Sequence, residues 1–154
     1  MTAILFVCLG NICRSPLAEG VFRHRAEQAG VGDRFIVDSA GCGGWHAGEP
    51  PDRRSVLTAE RHGVSIHDQV ARQVTRADFD RFDLILGLDR DNVRSLLNTA
   101  PPGSRARVAL YLGEALGQQK DVPDPYYGGM KDFEAVYALC ETASDALIKT
   151  LAST

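Results

Sequence analysis

Apolar residues along this chain fall into two kinds of run. Short unbroken ones rich in β-formers occupy residues 3–7, 35–37 and 84–88, with a fourth around 108–112. Runs of that length, bounded by turn residues, predict strands buried on both faces. Between them apolar residues recur at helical spacing. Leu17, Val21 and Phe22 share one face of a helix expected over 16–29, which Gly30 ends. Asp52 is placed to cap a helix reaching about His62 and closed by Gly63, and Thr75 with Asp78 opens a short one over 77–81. Asp89 begins another, through about Leu97. The last helix starts near Lys131 or Asp132, with Phe133, Val136, Tyr137, Cys140, Ala143 and Leu147 along its apolar face. Val64-Ser65-Ile66 is too short to assign.

Strands alternating with helices predict an α/β fold: a single domain over 1–154, with a four-stranded parallel sheet flanked by helices on both faces. Ligands bind such sheets beyond the carboxyl ends of the strands, at the switch point of strand order, so the first strand is expected to be central. Residues 40–52 hold four glycines, two prolines and the only tryptophan, and read as a long loop. No repeat, low-complexity tract or linker suggests a second domain.

Composition narrows the picture by exclusion. At 154 residues the chain can build a real core, and its 44% hydrophobic and 24% charged residues are ordinary for a globular protein. A net charge of -3 gives no basic field for nucleic acid or acidic membranes, and Arg23-His24-Arg25 and Arg53-Arg54 read as solvated helix faces. No stretch approaches the ~20 apolar residues of a membrane span, and the N-terminal run is too short for a signal peptide. No membrane insertion is expected, and a cytoplasmic location is the default. Four cysteines, at 8, 13, 42 and 140, are too few and uneven for a secreted disulfide framework, and without CxxC pairs near histidines they suggest no zinc site.

The chemistry concentrates after the first strand, in Val7-Cys8-Leu9-Gly10-Asn11-Ile12-Cys13-Arg14-Ser15-Pro16. Ser15 suits a helix N-cap and Pro16 a first helical position. Cys8 then ends a strand, and the loop delivers the chain to a helix N-terminus, where free N–H groups and the helix dipole attract an anion. A cysteine held there has its thiolate form stabilised, and Arg14 adds a planar cation suited to phosphate. The segment Leu9, Gly10, Asn11, Ile12, Cys13 and Ser15 reads as a phosphate-binding loop that turns the Cys8 thiolate toward phosphorus.

This loop, DSAG at 38–41 with the following Trp45, ARQVT at 71–75 and DPYYG at 124–128 together resemble the low-molecular-weight protein tyrosine phosphatases over nearly the whole chain. The resemblance implies hydrolysis of phosphotyrosine in proteins, and of small aryl phosphates, without metal or other cofactor. Cys8 would attack phosphorus to give a cysteinyl-phosphate while Arg14 holds the equatorial oxygens. Asp124 would protonate the leaving phenolate and then activate the hydrolytic water. Ser15 would hydrogen-bond the thiolate and Asn11 shape the loop. Trp45, Tyr126 and Tyr127 are the expected pocket walls, Tyr127 alternatively packing on the last helix. Asp89 would anchor Arg14 or cap its own helix, and Glu19 would do similar anchoring or stay solvated. A family histidine supporting Asn11 has no clear counterpart, which leaves His67 or Gln69 for that role. Cys13 either pairs reversibly with Cys8 or simply packs, whereas Cys42 and Cys140 read as structural.

Related chemistries divide on single features. Thioredoxin-coupled arsenate reductases need two further cysteines on a redox segment, and only Cys140 lies beyond Cys42 here. Protein arginine phosphatases carry threonine where Ile12 stands. A non-catalytic phosphate-binding module has no need of a nucleophile and an acid together. The implied partner is a tyrosine-phosphorylated protein, with a bacterial tyrosine kinase one candidate by family habit.

Overall fold

The computed structural model describes residues 1–153. β1 (Thr2–Cys8), α1 (Arg14–Gln28), β2 (Phe35–Gly41), α2 (Arg53–Arg61), α3 (Asp78–Arg81), β3 (Leu84–Gly87), α4 (Arg90–Thr99), β4 (Arg107–Leu110), α5 (Tyr111–Leu116) and α6 (Met130–Leu151) follow one another. The four strands form one parallel sheet in the order β2-β1-β3-β4. Chain order reverses beside β1: its next strand lies on one side and the third on the other. The carboxyl ends of β1 and β3 therefore flank the switch point.

β1 shows why a continuous apolar run was the right signal for a doubly covered strand. Ile4, Phe6 and Cys8 face a core completed by α1, α5 and α6, including Leu17, Val21, Phe22, Tyr111, Tyr137 and Cys140. The alternate residues Ala3, Leu5 and Val7 face a smaller core with Phe79 of α3 and Leu96 of α4. Period-two alternation sends successive side chains to opposite faces, and both faces are dry. No helix among the described residues is long and apolar enough to cross a membrane.

Several boundaries differ from the sequence reading, each for a local reason. α1 begins at Arg14, not Pro16; Cys13 is its N-cap and makes no side-chain cap bond. Ser15 lies inside the first turn with its hydroxyl engaged elsewhere, and Pro16, still within that turn, needs no N–H partner. β2 continues through Asp38 and Ser39 to Gly41. Those polar residues looked like a strand end, but Asp38 accepts from Arg72 and Ser39 from Asn11. β3 stops at Gly87, one residue short of Leu88. Around the fourth strand, Tyr111 and Leu112 leave the sheet and start α5, which closes at Gly117 in the left-handed region, φ 70°. α2 and α4 have the expected caps: the carboxylate of Asp52 accepts from Arg54 N, that of Asp89 from Asn92 N.

Phe6 anchors the larger core. It is fully buried, edge-on to Tyr111 at 5.6 Å and tilted against Phe22 at 5.8 Å between centroids. Phe6→Ala is expected to destabilise the protein by about 3–5 kcal/mol, read as a lowered urea midpoint at unchanged slope.

Candidate active site

The turn after β1 depends on Asn11, the only non-glycine residue with positive φ, 59°, among those described. Its buried side chain makes that backbone tenable. The amide nitrogen donates to Ser15 Oγ at 2.8 Å and to Ser39 Oγ at 3.0 Å, and Oδ1 accepts from Arg72 N–H at 3.0 Å. Ser15 Oγ lies 3.0 Å from Cys8 Sγ. Ser15 Oγ accepts from Asn11, and its own proton has two acceptors in reach, the sulfur at 3.0 Å and the Ala40 carbonyl at 3.4 Å. Ser15 N–H also approaches Sγ, at 3.4 Å.

The main chain turns its carbonyls outward. Cys8, Leu9 and Ile12 carbonyls accept from Cys42, Gly43 and Asp52 N–H groups. No main-chain carbonyl among the described residues accepts from the N–H groups of Leu9 to Cys13. Donors left without a main-chain partner in a loop beside a sulfur, at the N-terminus of α1, are what an oxyanion requires. Gly41 stands where β2 meets this loop, and a Cβ there would lie 3.0 Å from Leu9 O and Gly10 C.

Arg14 is buried, and its guanidinium is fixed from two sides. One terminal nitrogen donates to Asp89 Oδ2 at 2.7 Å and to the Val122 carbonyl at 3.0 Å. The other lies 3.7 Å from Asp124 Oδ2. Burial opposes the charge, but Cys8, Asp89 and Asp124 outweigh it and raise the guanidinium pKa. Asp89 both anchors Arg14 and caps α4, so its two sequence readings hold together. Asp124 is steadied by its own turn, with Oδ1 accepting from Tyr126 N at 3.1 Å.

A cavity of about 240 Å³ brings these groups together, lined by Cys8, Leu9, Gly10, Ile12, Cys13, Arg14, Trp45, His46, Asp124, Tyr126 and Tyr127. Every predicted catalytic and wall residue borders it, while Asn11 and Ser15 lie behind the loop as supports. Trp45, 70% exposed, lies against Gly43, where a Cβ would meet the ring at 1.8 Å. Tyr127 is 94% exposed and edge-on to Tyr126 at 5.0 Å, which removes its alternative as a residue packed on the last helix.

Other expectations need correction. Neither His67 nor Gln69 touches Asn11: His67 is exposed beside Ser65, and Gln69 donates to the Pro16 carbonyl. Ser39 and the Arg72 main chain do the supporting instead. Glu19 is buried and does not anchor Arg14; it accepts from Ser39 Oγ at 2.7 Å and pairs with Arg23. Burial raises its carboxyl pKa, with Ser39 and Arg23 opposing. Arg54, read as part of a solvated face, packs over the Tyr126 and Phe133 rings. His46, unremarked in sequence, lines the mouth; its place in the glycine-rich loop beside Trp45 was the available signal. All four cysteines are free thiols.

The family model described as low molecular weight phosphotyrosine protein phosphatase matches residues 3–154. A low molecular weight protein-tyrosine-phosphatase of Streptomyces coelicolor is 46% identical over 149 residues, covering 94% of this chain and 90% of that one. A solved protein tyrosine phosphatase from Entamoeba histolytica superposes with a TM-score of 0.92 at 36% identity, over 99% of this chain and 98% of that chain. A Drosophila arginine phosphatase also superposes, with a TM-score of 0.89 at 30% identity over 98% of each.

Burial, reinforced by Asp52 and Cys8, pushes the Cys13 thiol up to about 12, and burial alone does the same for Cys140. Both groups are therefore neutral thiols from pH 6 to 9. Iodoacetamide at pH 8 is expected to leave Cys13 and Cys140 unmodified in the native protein and to alkylate them in urea, by peptide mass spectrometry. Rapid native labelling of either would contradict this placement.

Proposed function

The chain belongs to the low-molecular-weight phosphotyrosine protein phosphatase family, a family of hydrolases, and from that premise we propose that it dephosphorylates phosphotyrosine through a cysteinyl-phosphate. The observation that carries the reading is the convergence of Cys8, Arg14 and Asp124 on one cavity, bordered by a loop whose N–H groups have no main-chain acceptor among the described residues. The Cys8 thiolate attacks phosphorus, the P–O bond to the aryl group breaks, and Asp124 gives its proton to the departing phenolate. Water then attacks the phosphocysteine while Asp124 takes its proton, releasing phosphate and the thiolate. Arg14 and the loop N–H groups meet the charge on the three equatorial oxygens, in positions set before substrate arrives. Ser15 stabilises sulfur as leaving group in the second step.

Walls of Trp45, Tyr126 and Tyr127 suit an aryl ring, and the depth of Cys8 below them favours a long phosphotyrosine over a short phosphoserine. Ile12 borders the cavity with an aliphatic side chain. That offers no hydrogen bond to a guanidinium, so phosphotyrosine is preferred to phosphoarginine despite the shared fold. The substrates are then tyrosine-phosphorylated proteins in the cytoplasm, a bacterial tyrosine kinase among the candidates.

Cys8→Ser is expected to abolish hydrolysis of an aryl phosphate while phosphate-analogue binding survives; undiminished turnover would remove Cys8 as nucleophile. Asp124→Ala is expected to lower kcat/KM, which reports the leaving-group step, by about 10²–10⁴-fold on phosphotyrosine and much less on an ester with an activated leaving group. Equal losses on both esters would remove Asp124 as general acid.

A further inference from the structure

We propose that Arg54 is a positioning residue: it ties the Asp124 turn and its aromatic wall to the phosphate loop, and so sets how well the site serves a poor leaving group. The inference rests on the phosphatase reading and concerns a side chain that lies outside the cavity.

Arg54 sits in the first turn of α2 and bridges three pieces of the site. Toward α2, its Nε and a terminal nitrogen engage the two oxygens of Asp52, each at 3.0 Å. Asp52 in turn donates its main-chain N–H to the Ile12 carbonyl at 2.7 Å, inside the phosphate loop. Toward the other side, the second terminal nitrogen of Arg54 donates to the Gly128 carbonyl at 3.2 Å. The guanidinium carbon lies 5.6 Å from the centroid of Tyr126 and 4.6 Å from that of Phe133. The route from Ile12 to Tyr126 thus runs through one planar cation, and Tyr126 N–H is the donor that fixes Asp124 Oδ1.

A partly buried surface ion pair such as Arg54 with Asp52, 32% and 14% exposed, is worth little by itself. What sets Arg54 apart is that its fork and its flat face are used at once, which a lysine cannot reproduce. Loss of this link leaves Cys8, Arg14 and the loop N–H groups in place, since none of them touches Arg54. The turn carrying Asp124 and Tyr126 loses its tether. In the first step a displaced acid matters when the leaving group needs a proton, as a tyrosine phenolate does, and hardly matters for nitrophenolate; hydrolysis of the phosphocysteine is common to both esters.

The test measures kcat and KM on a phosphotyrosine peptide and on para-nitrophenyl phosphate, with the inhibition constant of inorganic phosphate. Variants are Arg54→Met and Arg54→Lys, each alone and combined with Tyr126→Leu. Both single variants are expected to lose about tenfold in kcat/KM, which reports the leaving-group step, on the peptide and less than about twofold on the nitrophenyl ester. Phosphate inhibition is expected to stay within about twofold, and the loss with Tyr126→Leu to fall well short of the product of the single losses. Equal losses on both esters, full activity in Arg54→Lys, multiplicative losses in the double variants or weakened phosphate inhibition would each overturn the proposal. Wild-type hydrolysis of both esters establishes the phosphatase reading in the same experiment, so a missing leaving-group signature then counts against Arg54 alone.

Discussion

The left-handed backbone of Asn11 is the constraint on which the site turns. That conformation, φ 59°, reverses the loop after β1 within a few residues. A non-glycine residue there carries a strain of order 1–3 kcal/mol. Three buried side-chain hydrogen bonds, to Ser15, Ser39 and Arg72, offset it at roughly 1 kcal/mol each. Glycine at this position would relieve the strain and forfeit the bonds that orient the Ser15 hydroxyl toward Cys8. The partners are themselves held. Ser39 donates to buried Glu19, while the Arg72 guanidinium is clamped between Asp38 and Asp78. Burial would raise the Asp78 carboxyl, but Arg72 and Thr75 outweigh it and keep its pKa low. A turn of a few residues thus recruits β2, α1 and the 71–78 segment.

Arg14 poses the complementary problem of a buried cation. Asp89 and the Val122 carbonyl satisfy one end of its guanidinium and leave the other directed at the cavity, near Asp124. Taking a cation out of water is tolerable only with such partners. Their placement follows from topology: Asp89 follows the end of β3, next to β1 in the sheet, and Val122 N–H bonds back to the Leu88 carbonyl. The strand-order switch that brings β1 and β3 side by side also sets the nucleophile loop beside the anchor of its arginine. Fold and site share one cause here.

What could be read in the sequence follows the same division. β1, the helix caps Asp52 and Asp89 and the apolar face of α6 were legible because each is written in neighbouring residues. Cys8, Arg14 and their loop were legible for the same reason, and Asp124 only through its company with them. The supports were not. Ser39 looked like a strand end and Arg72 acts through its main chain, which no side-chain pattern announces. Glu19, read as an anchor of Arg14 or a solvated residue, and Gln69, read as a candidate support of Asn11, both bond elsewhere, since hydrogen bonds across 20 or more residues leave no local trace. α5 was hidden because Tyr111 and Leu112 are apolar and follow a strand without a break; only Gly117, as a left-handed cap, marked its end.

The two halves of the site also differ in how firmly they are held, and the proposed chemistry explains why. Cys8, Asn11, Arg14 and Ser15 are all buried and multiply bonded. Stabilising charge that appears during phosphoryl transfer requires donors that do not reorganise, so rigidity serves that half. The Asp124 side chain is 42% exposed, and Tyr126 and Tyr127 stand in solvent. In the proposed reaction that half admits a tyrosine on a protein surface and exchanges protons with water between steps, which a closed, dry pocket forbids. An exposed turn with few buried contacts belongs to the low-stability part of a fold. Its position therefore depends on a few local restraints: the Asp124 turn, the Gly128 N–H to Pro125 carbonyl bond, and Arg54 behind Tyr126. On the proposed roles, precision in the acid is maintained from outside the cavity because the inside has to stay open.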